Sequence, residues 1–474
     1  MKGAVAEYLN GNGGGGKYEH LGENLDEGEG LDDNIGKTYF EVELENGRGK
    51  GTEQQDGRSY VVHDGDDQGE GPRDERNLCY LAYFSLGTGV LFPFNAFITA
   101  VDYFQDLYPD QHVDRVFTVA YMFPNLVVLG LLLVNDLNLT YNKRIYSGFT
   151  LYLFCLFSVP LIDVALIGEE STGSTWNFTV AAVAICGLAD GVAQGSVFGS
   201  AAVLPARYTQ AVVSGTSVSG VVISVLRVLT KALISQDEAG LRRSTYLYFG
   251  VAGTFCVFCI FVQAALSKLP VYRHFMGLNA GDEEKAGLTQ SDAGAEGQPV
   301  VEEEGSSIRQ IFSRTWPLGL GLFFSYAVTL SIFPGFLAED VESETLGDWY
   351  AIVLILGFNV MDFIGKSCPV YERFRLHSAV GLFMVSIFRC AFYILYILAT
   401  FGPEFLKGEP LGPMYVSVIT AFLGFSNGWL TSNCLMKAPS LVNHRDAEKT
   451  EMLMVWFLLL GLMVGALLGW LWLL

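Results

Sequence analysis

Histidine is scarce in this chain, six residues in 474, and none falls in the middle of an apolar segment. No imidazole metal centre is therefore indicated. Patterns of soluble catalysis are missing too. There is no phosphate loop or zinc motif, and "GTSVSG" (Gly215–Gly220) misses the last glycine of a serine nucleophile elbow. No apolar core stands near residue 10, which excludes a secretory signal. Short segments of alternating polarity are absent, which excludes a membrane β-barrel. Eight cysteines occur, all in or beside apolar segments. The pair in "CVFC" (Cys256, Cys259) reads as packing rather than redox chemistry. An enzyme and a bound cofactor are both unexpected.

What the chain does have is apolar length. Half of it is hydrophobic (51%), and eleven segments approach the roughly 20 residues that carry a helix across a bilayer. They lie near 78–101, 116–135, 146–167, 178–203, 211–234, 245–267, 315–337, 348–368, 377–401, 413–435 and 453–473. Backbone in lipid must satisfy its own hydrogen bonds, so these are helices. The fold class is an all-α polytopic membrane protein. The net charge of −21 is concentrated outside these segments: residues 1–75 hold 19 acidic against 7 basic side chains. That Gly-rich arm reads as disordered. The acidic loop 268–308 divides six helices from five, as a two-bundle carrier would. The expected organisation is an arm (1–76), a six-helix bundle (77–267), a linker (268–312) and a five-helix bundle (313–474).

The two halves share a pattern, "TGVLFPF" (Thr88–Phe94) and "TLSIFPG" (Thr329–Gly335). Proline interrupts helices, and interruptions at matching places point to a central site. Lys143, Arg144, Arg207, Arg373, Arg375, Lys437, Arg445 and Lys449 fall in alternate loops, which places the N-terminus in the cytosol. The sequon Asn177-Phe178-Thr179 then faces outward as a glycosylation candidate.

Ionisable groups inside spans are costly and mark function by default. They are Asp190, Arg227, Asp362, Lys366 and Arg389. For Arg227 and Arg389 the competing reading is structural ion pairing, for instance Arg227 with Asp190. In "ICGLADGVAQGSVFGS" Asp190 and Gln194 share a face, and Gly187, Gly191, Gly195 and Gly199 form a ridge that admits a neighbouring helix. The Gln194 amide both donates and accepts, which suits a nucleobase edge. In "GFNVMDFIGKS" Asn359, Asp362 and Lys366 form one stripe. An ionised Asp accepts a pair of hydroxyls such as a ribose diol, while Asn and Lys add donors. For Lys366 the alternative is snorkelling to the interface.

At these residues the sequence resembles the equilibrative nucleoside transporters. The matching stretches are "GFNVMDFIGKS", "GVLFPFNAFITAVDYF", "QGSVFGSAAVLPARYTQAVVSGTSVSG" and "GFSNGWLTSNCLMKAP", in order from about residue 78 onward. "SVLRVLTKALISQDEAGLRRSTYLYF" is similar to the plant branch of these solute carriers. The resemblance implies a major-facilitator-like fold of eleven helices in a 6+5 arrangement, alternating access, and no enzymatic activity. It implies substrate contacts at Leu91, Phe94, Ile98, Met122, Asn125, Gln194, Asn359, Asp362, Lys366 and Leu462. Gln194 would meet the base, and Asp362 with Lys366 the ribose. Gating is implied for Ile98 against Phe333 and Pro334. Phe94, Asn125 and Lys366 depart from the usual Trp, aliphatic residue and Arg. Asp190 stands where mammalian relatives have glycine. It is either a proton-coupling group or a permanently ionised partner of Arg227. The expected partners are a nucleoside, protons and the lipid bilayer, in a monomer that binds no nucleic acid, at the plasma or vacuolar membrane. The alternative is a carrier of organic cations or monoamines with the same fold.

Overall fold

A computed structural model of the chain describes residues 72–109, 111–135, 140–165, 173–277, 306–333, 343–347, 349–403, 408 and 410–469. Fourteen α-helices occupy these residues: α1 (Leu78–Thr99), α2 (Val101–Leu107), α3 (Val113–Val134), α4 (Tyr141–Ala165), α5 (Gly173–Ala202), α6 (Ala206–Leu233), α7 (Glu238–Leu266), α8 (Pro270–Phe275), α9 (Ile308–Ile332), α10 (Trp349–Ser367), α11 (Ala379–Phe388), α12 (Ala391–Phe401), α13 (Leu411–Lys437) and α14 (Ala447–Leu468). Among the described residues ten spans are long and apolar enough to cross a membrane, with α11 and α12 forming one of them. α13 is not among the ten although it has 27 residues. Its interior face carries Thr420, Asn427, Thr431, Ser432 and Asn433, all buried, which dilutes its apolarity.

Several helices start earlier than hydropathy suggests. α9, expected from 315, begins at Ile308, where Ser307 and Gln310 close a capping box. α14, expected from 453, begins at Ala447. Polar first turns do not register as membrane sequence, yet nothing prevents them from being helical.

α1 packs on α6 and α7, α3 on α5, and α4 on α5 and α7. In the second half α9 packs on α11, α13 and α14, and α10 on α13. The two groups meet along α6–α10, α6–α13, α3–α14 and α5–α14. Glycine sets the closest approaches. A methyl on Gly215 would lie 2.1 Å from the Phe84 carbonyl oxygen, and one on Gly428 2.1 Å from that of Asp362. The α5 ridge works the same way: Gly187, Gly191 and Gly195 receive Tyr121, Asn125 and Leu129, one stripe of α3, while Gly199 abuts Glu448 of α14. The outward sides are apolar and exposed, as at Phe154, Phe157 and Leu161 on α4 and at Met414, Val418 and Phe422 on α13, the stripes a bilayer would cover.

The proline pattern resolves asymmetrically. Pro93 is accommodated inside α1, which runs on to Thr99 before α2 begins. α9 instead stops at Ile332, and Phe333 is extended (φ −112°, ψ 136°), as a residue before proline prefers. Pro334 itself lies outside the described residues. The sequon is not in a loop: Asn177 is exposed on α5, and the buried Thr179 hydroxyl donates to the Thr175 carbonyl oxygen. Cys256 and Cys259 are free and buried, with Cys259 Sγ 3.4 Å from the Ser85 carbonyl oxygen.

Candidate functional site

α6 and α10 run antiparallel across the seam between the two groups, and polar side chains line their contact. Asp362 on α10 is the hub. Its Oδ2 accepts from Ser217 Oγ of α6 (2.5 Å) and lies 3.0 Å from Lys366 Nζ, while its Oδ1 accepts from Asn427 Nδ2 of α13 (2.8 Å). Lys366 also donates to Thr216 of α6 (3.2 Å). Both charged side chains are buried, Asp362 6% and Lys366 5% exposed. This corrects the snorkelling alternative: Lys366 turns inward because an i, i+4 carboxylate and a threonine hydroxyl receive it. Asn359, half-buried, completes the stripe by donating to Ser224 Oγ (2.7 Å) and to the Gly220 carbonyl oxygen (3.3 Å).

The network continues behind Asp362. Asn427 Oδ1 accepts from Thr329 of α9 (3.0 Å), and Arg389 donates to the same Thr329 oxygen (2.6 Å), to the Leu423 carbonyl and to Ser426. Arg389 thus stands at the α11–α12 break, with its two terminal nitrogens donating to neutral oxygens. Arg227 pairs with Asp102 on α2, which corrects the alternative that paired it with Asp190.

Asp190 sits deeper in the first group, 1% exposed. Asn125 Nδ2 donates to its Oδ2 at 2.6 Å, and the Tyr152 hydroxyl of α4 donates to Oδ1. Asn125 is itself fully buried, and its Oδ1 has no hydrogen-bond donor among the described residues. One turn along α5, Gln194 is buried and its Oε1 has no hydrogen-bond donor among the described residues. Leu91, Phe94, Ile98 and Leu462 are half-buried and Met122 is buried. The Phe94 ring lies 4.7 Å from that of Tyr121. Phe333 stacks on Phe358 at 4.0 Å.

A second contact between the groups lies on the face bearing the basic loops. Arg144 Nη2 of α4 pairs with Glu448 Oε1 of α14 (2.6 Å), Tyr141 donates to Glu448 Oε2 (2.5 Å), and a ring nitrogen of His444 is 3.0 Å from the Val203 carbonyl oxygen. These residues clamp the seam at that end. Reading the sequence named Arg144 only as a basic loop residue and did not single out Tyr141, His444 or Glu448, because they lie in polar turns that hydropathy assigned to loops. Tyr152, Ser217 and Asn427 were also missed. Asn427 had a signal, an amide inside the apolar run "GFSNGWL".

A family model described as "Nucleoside transporter" matches residues 180–474. The chain belongs to the nucleoside transporter family. Among its relatives, equilibrative nucleotide transporter 8 of Arabidopsis thaliana is 39% identical, the match covering 85% of this chain and 96% of that protein. Equilibrative nucleotide transporter 1 of the same plant is 40% identical over 85% of this chain and 87% of its own. Solved structures show the fold of the major facilitator superfamily. The proton:xylose symporter XylE aligns with a TM-score of 0.53 at 11% identity, over 84% of this chain and 89% of that one. A bacterial homologue of the iron transporter ferroportin, in its outward-facing state, aligns at 0.52 with 14% identity, over 84% and 92%. This nucleoside transporter family member is thus a multi-pass membrane protein with a major-facilitator-like arrangement of helices.

Proposed function

We propose that the chain carries nucleosides, purine and pyrimidine, across a membrane by alternating access around the α6–α10 seam. The observation that carries the reading is the Asp362 carboxylate, reached by donors from both helix groups, Ser217 on one side and Asn427 and Lys366 on the other. A ribose diol offers two hydroxyl donors to the same carboxylate and would replace the Ser217 bond as the groups part. Gln194 offers the unused acceptor for a base edge. Leu91, Phe94, Ile98, Met122, Asn359 and Leu462 complete the proposed contact set, with Asn125 acting through Asp190, and Phe333 with Pro334 gating the end away from the clamp. Eleven spans follow if α13 crosses with the other ten. The clamped face, rich in Lys and Arg, is the cytosolic one, and it carries the acidic arm 1–76 and the linker 268–312 between the two bundles.

Asp190 is the candidate for proton coupling. Its partners Asn125 and Tyr152 are neutral, so its charge is not fixed by an ion pair. An inward proton gradient across liposomes should accelerate uptake, and uptake indifferent to the gradient would end the coupling idea. The same neutral enclosure disfavours a carrier of organic cations, since Asp190 is sealed; a competition panel of nucleosides against monoamines separates the two. The direct test is uptake of labelled uridine and adenosine in transport-deficient cells with surface expression matched. Asp362→Ala and Gln194→Ala should each lose about tenfold or more in apparent affinity, since each bond in a dry pocket is worth about 1–3 kcal/mol. Unchanged uptake in both variants would refute the assignment.

A further inference from the structure

Glu451 lies one turn beyond the clamp residue Glu448 on α14. It is fully buried, at 0% exposure, and neither carboxylate oxygen meets a hydrogen-bond donor among the described residues. Its direction follows from helix geometry. Residues 451, 455, 458 and 462 form one stripe. The neighbouring faces of α14 are taken: Phe457, Gly461 and Gly465 meet α9, while Glu448, Met452 and Trp456 meet α5 and α3. Glu451 therefore shares the face of Leu462, toward the seam between the two groups. The Cys434 thiol of α13 is within electrostatic range of it. The other titratable groups on the elements around it are Arg309, Arg314 and Tyr326 of α9, Arg115 and Tyr121 of α3, Cys186 and Asp190 of α5, and Tyr415 and Lys437 of α13. Beside them stand His444, Arg445, Asp446, Glu448 and Lys449 on its own segment. None of these donates a hydrogen bond to Glu451.

An ionised carboxylate cannot sit unpaired in such a place without a heavy desolvation penalty, whereas the neutral acid can. We propose that Glu451 is a proton-binding site that latches the clamp. With the clamp shut, the side chain is sealed and holds a proton. When α14 parts from α4 and α5, water reaches it. The carboxylic O–H bond then breaks, the electron pair stays on the carboxylate, and the proton leaves on water toward the basic face. Closing reverses the step. Glu448 is paired with Arg144 in the shut state, so two acids one turn apart divide the work: one holds the clamp, the other senses whether it is open. Protons on the basic face thereby favour the shut state. The consequence for transport rests on the alternating-access reading, but the shut–open equilibrium can be followed with no substrate present.

The test is a spin-label distance across the clamp, between Lys143→Cys on α4 and Ser440→Cys in the turn after α13, both exposed positions. The full chain is held in lipid nanodiscs, with Cys368 and Cys390 replaced by serine because they are the cysteines that are not buried. Lowering pH from 8 to 5 should move the population toward the short distance, the open-to-shut ratio changing by up to about tenfold per pH unit for one proton. In Glu451→Gln and in Glu451→Leu the distribution should stay short and lose its response to pH. A native chain whose distances ignore pH would overturn the proposal, and so would either variant with the native response. Uptake that fails in a chain whose distances respond normally would count against the carrier reading and leave the latch standing.

Discussion

The Asp362–Lys366 pair makes a sharp energetic prediction. Lys366 Nζ has the Asp362 carboxylate at 3.0 Å and the Thr216 hydroxyl at 3.2 Å. Truncation by Asp362→Ala strands a buried ammonium on one neutral acceptor and should cost about 3–5 kcal/mol of stability, the usual penalty for breaking a buried pair from one side. Lys366→Met leaves Asp362 with Ser217 and Asn427 as donors, and so should cost less, about 1.5–3 kcal/mol for a lost charged hydrogen bond. The double variant removes both charges and leaves only hydroxyl and amide groups to find new partners. Its cost should fall short of the sum of the singles by about 2 kcal/mol. Chemical unfolding of purified protein in detergent, run as a double-mutant cycle with each variant checked for a native elution profile, measures the coupling. Additive losses would mean that the two charges do not meet in the folded chain, and the α10 stripe would have to be rebuilt.

Other outcomes follow from single contacts. Gly187→Ala puts a methyl 2.1 Å from the Tyr121 carbonyl oxygen and should cost about 1–3 kcal/mol or more by forcing α3 from α5, whereas Gly250→Ala, with open space around it, should not destabilise. Thermal unfolding of the two variants reads the contrast. Arg144→Ala should loosen the basic face without touching the α10 stripe, seen as a longer spin-label distance between Lys143→Cys and Ser440→Cys. Asn177 should carry no glycan when the chain is made in eukaryotic cells, because its sequon is helical with Thr179 buried, so glycosidase treatment should leave its mobility unchanged. At the start of α7 the Asp237 carboxyl accepts from the Gly240 N–H and the Ser235 hydroxyl, which hold it below the usual carboxylate range, the hydroxyl contributing most. A depressed folded value means that the cap stabilises above the unfolded carboxylate range near 4 and is lost as pH falls through the lower folded value. Hydrogen exchange across 238–242 should therefore stay slow through mild acid and quicken only below that range.

Much of this architecture was legible in the residues. Apolar length placed the spans, the four-residue glycine spacing announced a close helix contact on α5, and the stripe of Asn359, Asp362 and Lys366, spaced three and four apart, marked the seam. What stayed hidden has a common cause. Hydropathy averages over a window, so a polar first turn reads as loop; Arg144 and Glu448 sit in such turns, and Glu451 lies one turn further in. Pairing was also opaque: nothing local in the sequence says that Arg227 meets Asp102 while Asp190 is left to Asn125 and Tyr152, since those contacts depend on how helices rotate about their axes. Hydroxyl partners are harder still, because serines and threonines are frequent in apolar helices and most of them bond their own backbone, as Thr88 and Ser196 do.

The measurement that bears most directly on the account is counterflow in proteoliposomes holding the purified full chain. Vesicles preloaded with unlabelled uridine and diluted into trace labelled uridine should accumulate label transiently above equilibrium, an overshoot that Asp362→Ala abolishes at the same uridine concentration. Label that enters only to equilibrium, in proportion to its outside concentration and without saturation, would contradict a seam that opens to one side at a time.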